Sequence, residues 1–245
     1  MHNQEFFDDK LLEKRIDTFY GYGNYKGNYW FIGMEEAGGD FKDINNRINI
    51  WAKRSHREID DVAEYHIDIG WPAGFQSGAA IQPTWKGLIR AVLSAKGKEN
   101  ITVEDIRKYQ INELGRKDNE TCLLELLPLP SPSLKHWIFK HHTKLTYLSD
   151  RAAFENYCLE TRRNYIAQKI KEHKPKGVVF YGKLYEYSWR KITEKITNVE
   201  FTSTSEGFLT CRNNHTVFVM AKHPVAFGLT KQYFHSIGRA IAAQL

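Results

Sequence analysis

Cysteine is scarce in this chain. Its 245 residues include only Cys122, Cys158 and Cys211, widely spaced and with no C-x-x-C pair. Three thiolates cannot complete a four-thiolate cluster. They read as reduced, structural thiols of a cytosolic protein. Long hydrophobic runs are also missing, and no stretch approaches the length that spans a membrane. The N-terminal MHNQEFFDDKLLEKR is charged from its start and reads as no signal peptide. A cytoplasmic location is therefore expected. The chain has no internal repeat, no low-complexity tract, no evident linker, no phosphate-binding P-loop and no dinucleotide fingerprint. One domain over residues 1–245 is expected, with no cofactor and no metal.

What is present is a basic balance. Lys and Arg total 35 against 29 Asp and Glu, a formal charge of +6, with ten histidines besides. A basic excess points weakly to a polyanionic partner, since many soluble enzymes share it.

Helical spacing covers residues 4–19. GYGNYKGN reads as a glycine-rich approach loop, and YWFIG as a short buried strand stopping at Gly33. A mixed polar helix is expected around INNRINIWAKRSHREIDDVAEY, followed by the loop GWPAGFQSGAA. QPTWKGLIRAVLSAKG places Pro83 in the first turn of a helix that ends at Gly97. TVEDIRKYQIN opens another, with Thr102 and Asp105 spaced as a capping box. The strand TCLLELL follows, then a long amphipathic helix over 149–173 closed by Pro175. GVVFYG and HTVFVMAKHP are the remaining strands, and KLYEYSWRKITEKI and TKQYFHSIGRAIAAQL the last helices. Four continuous apolar strands alternating with helices predict an α/β fold, a three-layer α/β/α sandwich with a mainly parallel central sheet of about four strands. Ligands of such sheets bind at the carboxyl ends of strands. GMEEAGG, PLPSPS and KHPVAFG fall there.

Those three loops, in that order, resemble the uracil-DNA glycosylase superfamily. FIGMEEAGG stands where the family has a strand ending in Gly and then an acid or Asn, as in GQDPYH, GMNPG or GEAPG. CLLELLPLPSPS stands where a strand carrying a base-reading Asn enters a proline-rich loop. AKHPVAFG stands where the family has HPS and a wedge residue. The likeness covers residues 25–245 except 41–80, and it implies a member without an iron–sulfur cluster. The resemblance implies a monomeric, monofunctional enzyme that flips a nucleotide from duplex or single-stranded DNA and hydrolyses its glycosidic bond.

Such a reaction builds positive charge on the sugar and negative charge on the leaving base. The resemblance makes Glu35 the carboxylate that orients water, with Glu36 as its rival on the EAPG-type alignment. An acid near a helix N-terminus is the structural alternative for Glu35. His223 takes the place of the histidine that donates to the base's O2. Val225 replaces the motif's Ser, which puts one phosphate contact in doubt. Phe227 falls at the wedge position, with Leu229 as the alternative; either also suits a core. Phe75 is the chosen base-stacking aromatic, with Phe41 behind it. Ser131 and Ser133 are candidate phosphate contacts. Lys135 in SLKHWIFKHHTK and Lys222 suit a DNA backbone track, although such a run is usually a solvated face.

Glu125 takes the position of the base-reading Asn. An amide both accepts from uracil N3–H and donates to O4, whereas a carboxylate has no donor. Acids accept from the C4 amino group of cytosine. Burial raises a Glu pKa, so a proton shared between Glu125 and cytosine N3 is expected. Ala37, Gly38 and Gly39 stand where GQDPYH has the Tyr that blocks the base's C5 side, so the resemblance implies that this side is open. A 5-modified cytosine, such as those of phage DNA, is the expected base, and defence against such phages the implied role. The alternatives are a uracil or 5-hydroxymethyluracil glycosylase of base-excision repair, and a non-catalytic module that holds a modified base. A third is a metal-dependent nuclease using Asp60, Asp61, Glu64 and Asp68, whose spacing better suits a solvated helix face.

Overall fold

A computed structural model of the protein describes residues 5–243. One eight-stranded sheet runs through it in the order β3-β1-β4-β2-β5-β8-β7-β6. Its centre is the four expected strands, β4 (Thr121–Glu125), β2 (Tyr29–Gly33), β5 (Gly177–Tyr181) and β8 (Val217–Ala221). These lie side by side and parallel, with Phe31 opposite Leu123 and Val179 opposite Val219.

The sheet as a whole is mixed, which corrects the expectation of about four mainly parallel strands. β1 (Gly21–Gly23) pairs antiparallel with β4 and parallel with β3 (Ile59–Asp60). At the other edge, β7 (Leu209–Arg212) runs antiparallel to β8 and to β6 (Thr202–Ser203). The added strands are short and lack apolar runs. β1 hides in the glycine-rich segment for a physical reason. Gly21 and Gly23 have φ of 143° and 104°. A Cβ on either would lie within 2.0 Å and 2.3 Å of β4 carbonyl oxygens. Only glycine lets this edge approach so closely.

Alternate strand residues divide the core into two layers. Phe31, Leu123, Val179 and Val219 pack with α4 (Pro83–Ala95), α5 (Val103–Asn112) and α8 (Lys231–Ala242). Trp30, Ile32, Leu124, Phe180 and Phe218 pack with α6 (Arg151–His173) and α7 (Glu186–Glu194). The fold is thus mixed α/β, with helices packed on both faces of the sheet. A third cluster joins α1 (Asp9–Thr18) and α2 (Phe41–Lys53) to the segment after β4.

Pro83 lies in the first turn of α4, and Thr102 and Asp105 form the capping box of α5. The expected mixed helix after residue 41 is instead two, α2 and α3 (Val62–Asp68). Ser55 and His56 break it, both at positive φ. All three cysteines are buried and free, and burial pushes the thiols of Cys158 and Cys211 up to about 12. No helix among the described residues is long and apolar enough to cross a membrane.

Candidate active site: an acid-lined cavity at the carboxyl edge

The loops after β2 and β4 continue the sheet's pairing beyond the strands. Leu126 and Leu127 donate to the carbonyls of Gly33 and Met34, Ser131 donates to Glu36, and Gly38 donates back to Ser131. Two buried arginines bind carbonyls that this ladder leaves over. Arg162 donates to Phe19, Glu125 and Leu126, and Arg15 donates to Pro128. Side chains at the end of β4 are thereby held in place.

A cavity of about 520 Å³ opens here. Glu35, Glu36, Glu125 and His223 all line it, as do Ala37 and Val225. Five of the expected residues, Glu35, Glu36, Ala37, Glu125 and His223, thus converge from three separate segments, together with Val225. Its aromatic walls are Tyr22, Trp71, Trp85 and Tyr181. Gly33 is required beneath Tyr181, because a Cβ there would lie 2.3 Å from the tyrosine hydroxyl oxygen.

The three acids have different partners. Arg151 grips Glu35 with both guanidinium Nη atoms, at 2.7 and 2.9 Å. Burial still raises the Glu35 carboxyl above its ordinary range, against the lowering effect of Arg151. Glu36 accepts from Arg47 at 2.6 Å and from the Tyr22 hydroxyl at 3.0 Å. Arg15 lies 3.6 Å away on the far side.

Glu125 has no such partner. Its Oε2 is buried without a hydrogen bond. Burial, then the charges of Glu36 and Glu35, push its carboxyl well above the ordinary range. Leaving such a group unpaired costs about 1–3 kcal/mol. The chain tolerates that cost at a cavity wall.

His223 lies at the start of the loop after β8. Its Nδ1 accepts a long 3.4 Å bond from the Val225 amide. In the neutral ring Nε2 then carries the hydrogen, leaving it free to donate. The residue is exposed overall, and the partial desolvation of its ring lowers the pKa, which favours that neutral form.

Other expected residues lie elsewhere. Phe75 is not part of the cavity wall; it packs behind it on Trp71, Trp85 and His66. Phe41 stacks near Phe7 and His142 in the third core cluster. Gly38 also lies off the wall, and its smallness serves packing, since a Cβ would come 2.9 Å from Ile44. Gly39 donates to Asp43. Ser131 is buried, accepting from Arg151 and donating to the Ser133 carbonyl, so its hydroxyl is already used. Ser133 is exposed and meets His136. Lys135 is exposed and Lys222 half-buried. The aromatics of the basic run, Trp137 and Phe139, are core residues. Phe227 is fully exposed, at 103%, whereas Leu229 packs against the core. That difference separates the two wedge candidates.

Asp60, Asp61, Glu64 and Asp68 do not form a solvated face. Asp60 and Asp61 are buried, and the four carboxylates are paired with Arg54, Arg57, Arg116 and Lys117. Among the described residues no group of three or more His, Cys, Asp or Glu side chains is arranged to hold a metal ion.

Sequence reasoning missed Arg151, Arg47, Tyr22, His66, Trp71 and Trp85. Tyr22 hid in the glycine-rich segment, and three of the others, Arg47, His66 and Trp71, lie in 41–80, where no motif guides the reading. The chain matches no protein-family model and no curated protein sequence.

Proposed function

We propose that the cavity is the active site of a DNA glycosylase that hydrolyses the N-glycosidic bond of a flipped-out pyrimidine, preferentially a 5-substituted cytosine, and leaves an abasic site. One observation carries this reading. Glu125 is a buried, unpartnered acid in the wall of a cavity that also holds Glu36 and the free donor of His223.

A neutral Glu125 presents one acceptor and one donor. Against cytosine, the acceptor takes the C4 amino group and the donor meets N3. As the glycosidic bond breaks and negative charge builds on the base, N3 grows more basic and draws the proton over. The pair then becomes charge-assisted, and the base leaves more readily. His223 donates to O2, where negative charge gathers as the C1′–N1 bond breaks. Glu36 is the better placed acid to orient water and stabilise the cationic sugar. Its carboxylate is the more exposed of the two, at 12% against 4% for Glu35. Both Glu35 oxygens are clamped by the one guanidinium of Arg151, which suits a role in positioning the loop, whereas Glu36 divides its oxygens between Arg47 and the Tyr22 hydroxyl. Phe227 is the wedge that fills the vacated stack.

The second reading is excision of uracil or 5-hydroxymethyluracil. A neutral Glu125 favours it too, since the same acid can accept from N3–H and donate to O4. Cytosine gains over uracil only through the transferred proton. The volume beyond one pyrimidine ring leaves room for a C5 substituent, and a role against phages with modified cytosine follows from that substrate.

The test is alkali-revealed abasic-site formation on single- and double-stranded oligonucleotides carrying cytosine, uracil and their 5-substituted forms. Cleavage strongest at a 5-substituted cytosine is expected. Cleavage of uracil alone would select the second reading. Binding of a modified base without cleavage would leave a non-catalytic module.

A further inference from the structure

His66 lies on α3, outside every motif, yet it lines the cavity. Its Nδ1 sits 2.7 Å from the Val62 carbonyl oxygen. A carbonyl can only accept, so Nδ1 carries the hydrogen and Nε2 keeps its lone pair in the neutral ring. Nε2 lies 3.8 Å from Glu36 Oε1. That is too far for a direct hydrogen bond. Tyr22, Trp71, Phe75 and Trp85 pack around the ring and fix it, and the side chain is only 11% exposed.

Two acceptors therefore face one gap in the cavity wall. The spacing suits a water that donates one hydrogen to each. Two bonds of about 2.8 Å span the gap with an angle of roughly 85° at oxygen. Such a water keeps a lone pair for attack. We propose that His66 is the general base of this site, holding the attacking water together with Glu36 and taking its proton. The proposal rests on the glycosylase reading.

The step balances as follows. The water oxygen bonds to C1′ as the C1′–N1 bond breaks, and that electron pair leaves on the base. One water proton passes to Nε2 and later to solvent. The proton from Glu125 neutralises the departing base.

The charged and titratable groups around the ring suit this task. Burial lowers the His66 pKa most, Glu36 raises it, and Arg47 lowers it again. Tyr22 and Tyr65 also touch the ring, and burial raises both phenols well above their ordinary range, so they stay neutral. The net direction is downward, which leaves the lone pair free at neutral pH.

The experiment is single-turnover excision by wild type and His66→Gln on whichever of the oligonucleotides above the wild type cleaves best. Gln keeps polarity but is no base. The rate is expected to fall at least about 100-fold, with oligonucleotide affinity changed less than about threefold. The acid limb of the wild-type pH profile, where Nε2 takes up a proton, should vanish. A variant rate within about threefold of wild type, with that limb intact, overturns the proposal. The nitrogen-15 shifts of the wild-type ring give a check that needs no variant. A protonated Nδ1 and a bare Nε2 at neutral pH are expected, and the opposite tautomer or a charged ring refutes it. If the wild type releases no base from any oligonucleotide, the glycosylase reading falls and takes this inference with it. If the wild type is active and the variant equally so, only the inference falls.

Discussion

Two groups of acids lie in this protein and are treated in opposite ways. Around α3, Asp60 meets Arg54 and Arg57, Asp61 meets Arg116, Glu64 meets Arg54 and Lys117, and Asp68 meets Arg54. Asp61 also caps the helix. At the carboxyl edge of the sheet, Glu125 meets no cation through its carboxyl group, and its Oε2 has no partner. Arg162 lies nearby but spends its donors on backbone carbonyls. The first group is compensated, so it serves the fold. In the second, Glu35 and Glu36 have Arg151 and Arg47, but Glu125 stays uncompensated in a cavity wall, which is how an acid kept for a ligand looks.

Substitutions can break that comparison. The largest effect is expected from Glu36→Gln, which should slow excision by about 10²–10⁴-fold in a single-turnover assay. Next comes Asp60→Ala in the paired group. It takes the buried partner from Arg54 and Arg57, which keep Glu64 and Asp68, and leaves the buried Asp61 amide without its acceptor. It should cost about 1–3 kcal/mol in urea unfolding, with the rate per folded molecule unchanged. An equal loss of rate there would erase the distinction between the groups.

Glu125→Gln should act on stability with the opposite sign. The folded carboxyl is raised by burial and by Glu36 and Glu35. The unfolded chain therefore loses this proton at lower pH than the folded chain does. The wild type keeps the full contribution below the unfolded pKa and loses it as pH rises toward the folded pKa. Relative to wild type, the Gln variant should gain stability as pH increases, read by denaturant unfolding at stepped pH. A difference that is flat with pH would mean Glu125 is not held neutral.

The smallest effect is expected at the rim. Phe227→Ala should slow excision from duplex DNA about tenfold while leaving single-stranded substrate nearly unchanged.

The four central strands were legible because each is a buried apolar run, and their loops carried the three motifs. β3 and β6 were not, because two-residue strands leave no pattern. Neither was β1, whose glycines read as a loop until the close approach to β4 is seen. Glu35, Glu36, Glu125 and His223 were found because each sits in a motif at a strand's end. The partner of Glu35 was not, since Arg151 lies 116 positions away and only the fold joins them. The base-stacking choice, Phe75, was one layer too deep. Segment 41–80 offers several aromatics, and spacing alone does not tell which ones line a cavity.

The central claim is that Glu125 reads the base as a neutral acid and gives it a proton. Excision from paired oligonucleotides carrying a 5-substituted cytosine or uracil, by wild type and Glu125→Gln, tests it most directly. Gln has the same length, one acceptor and a donor, but no proton to give. The account predicts that the variant loses cytosine excision by at least about 100-fold while uracil excision changes far less. An unchanged ratio between the two bases would contradict it.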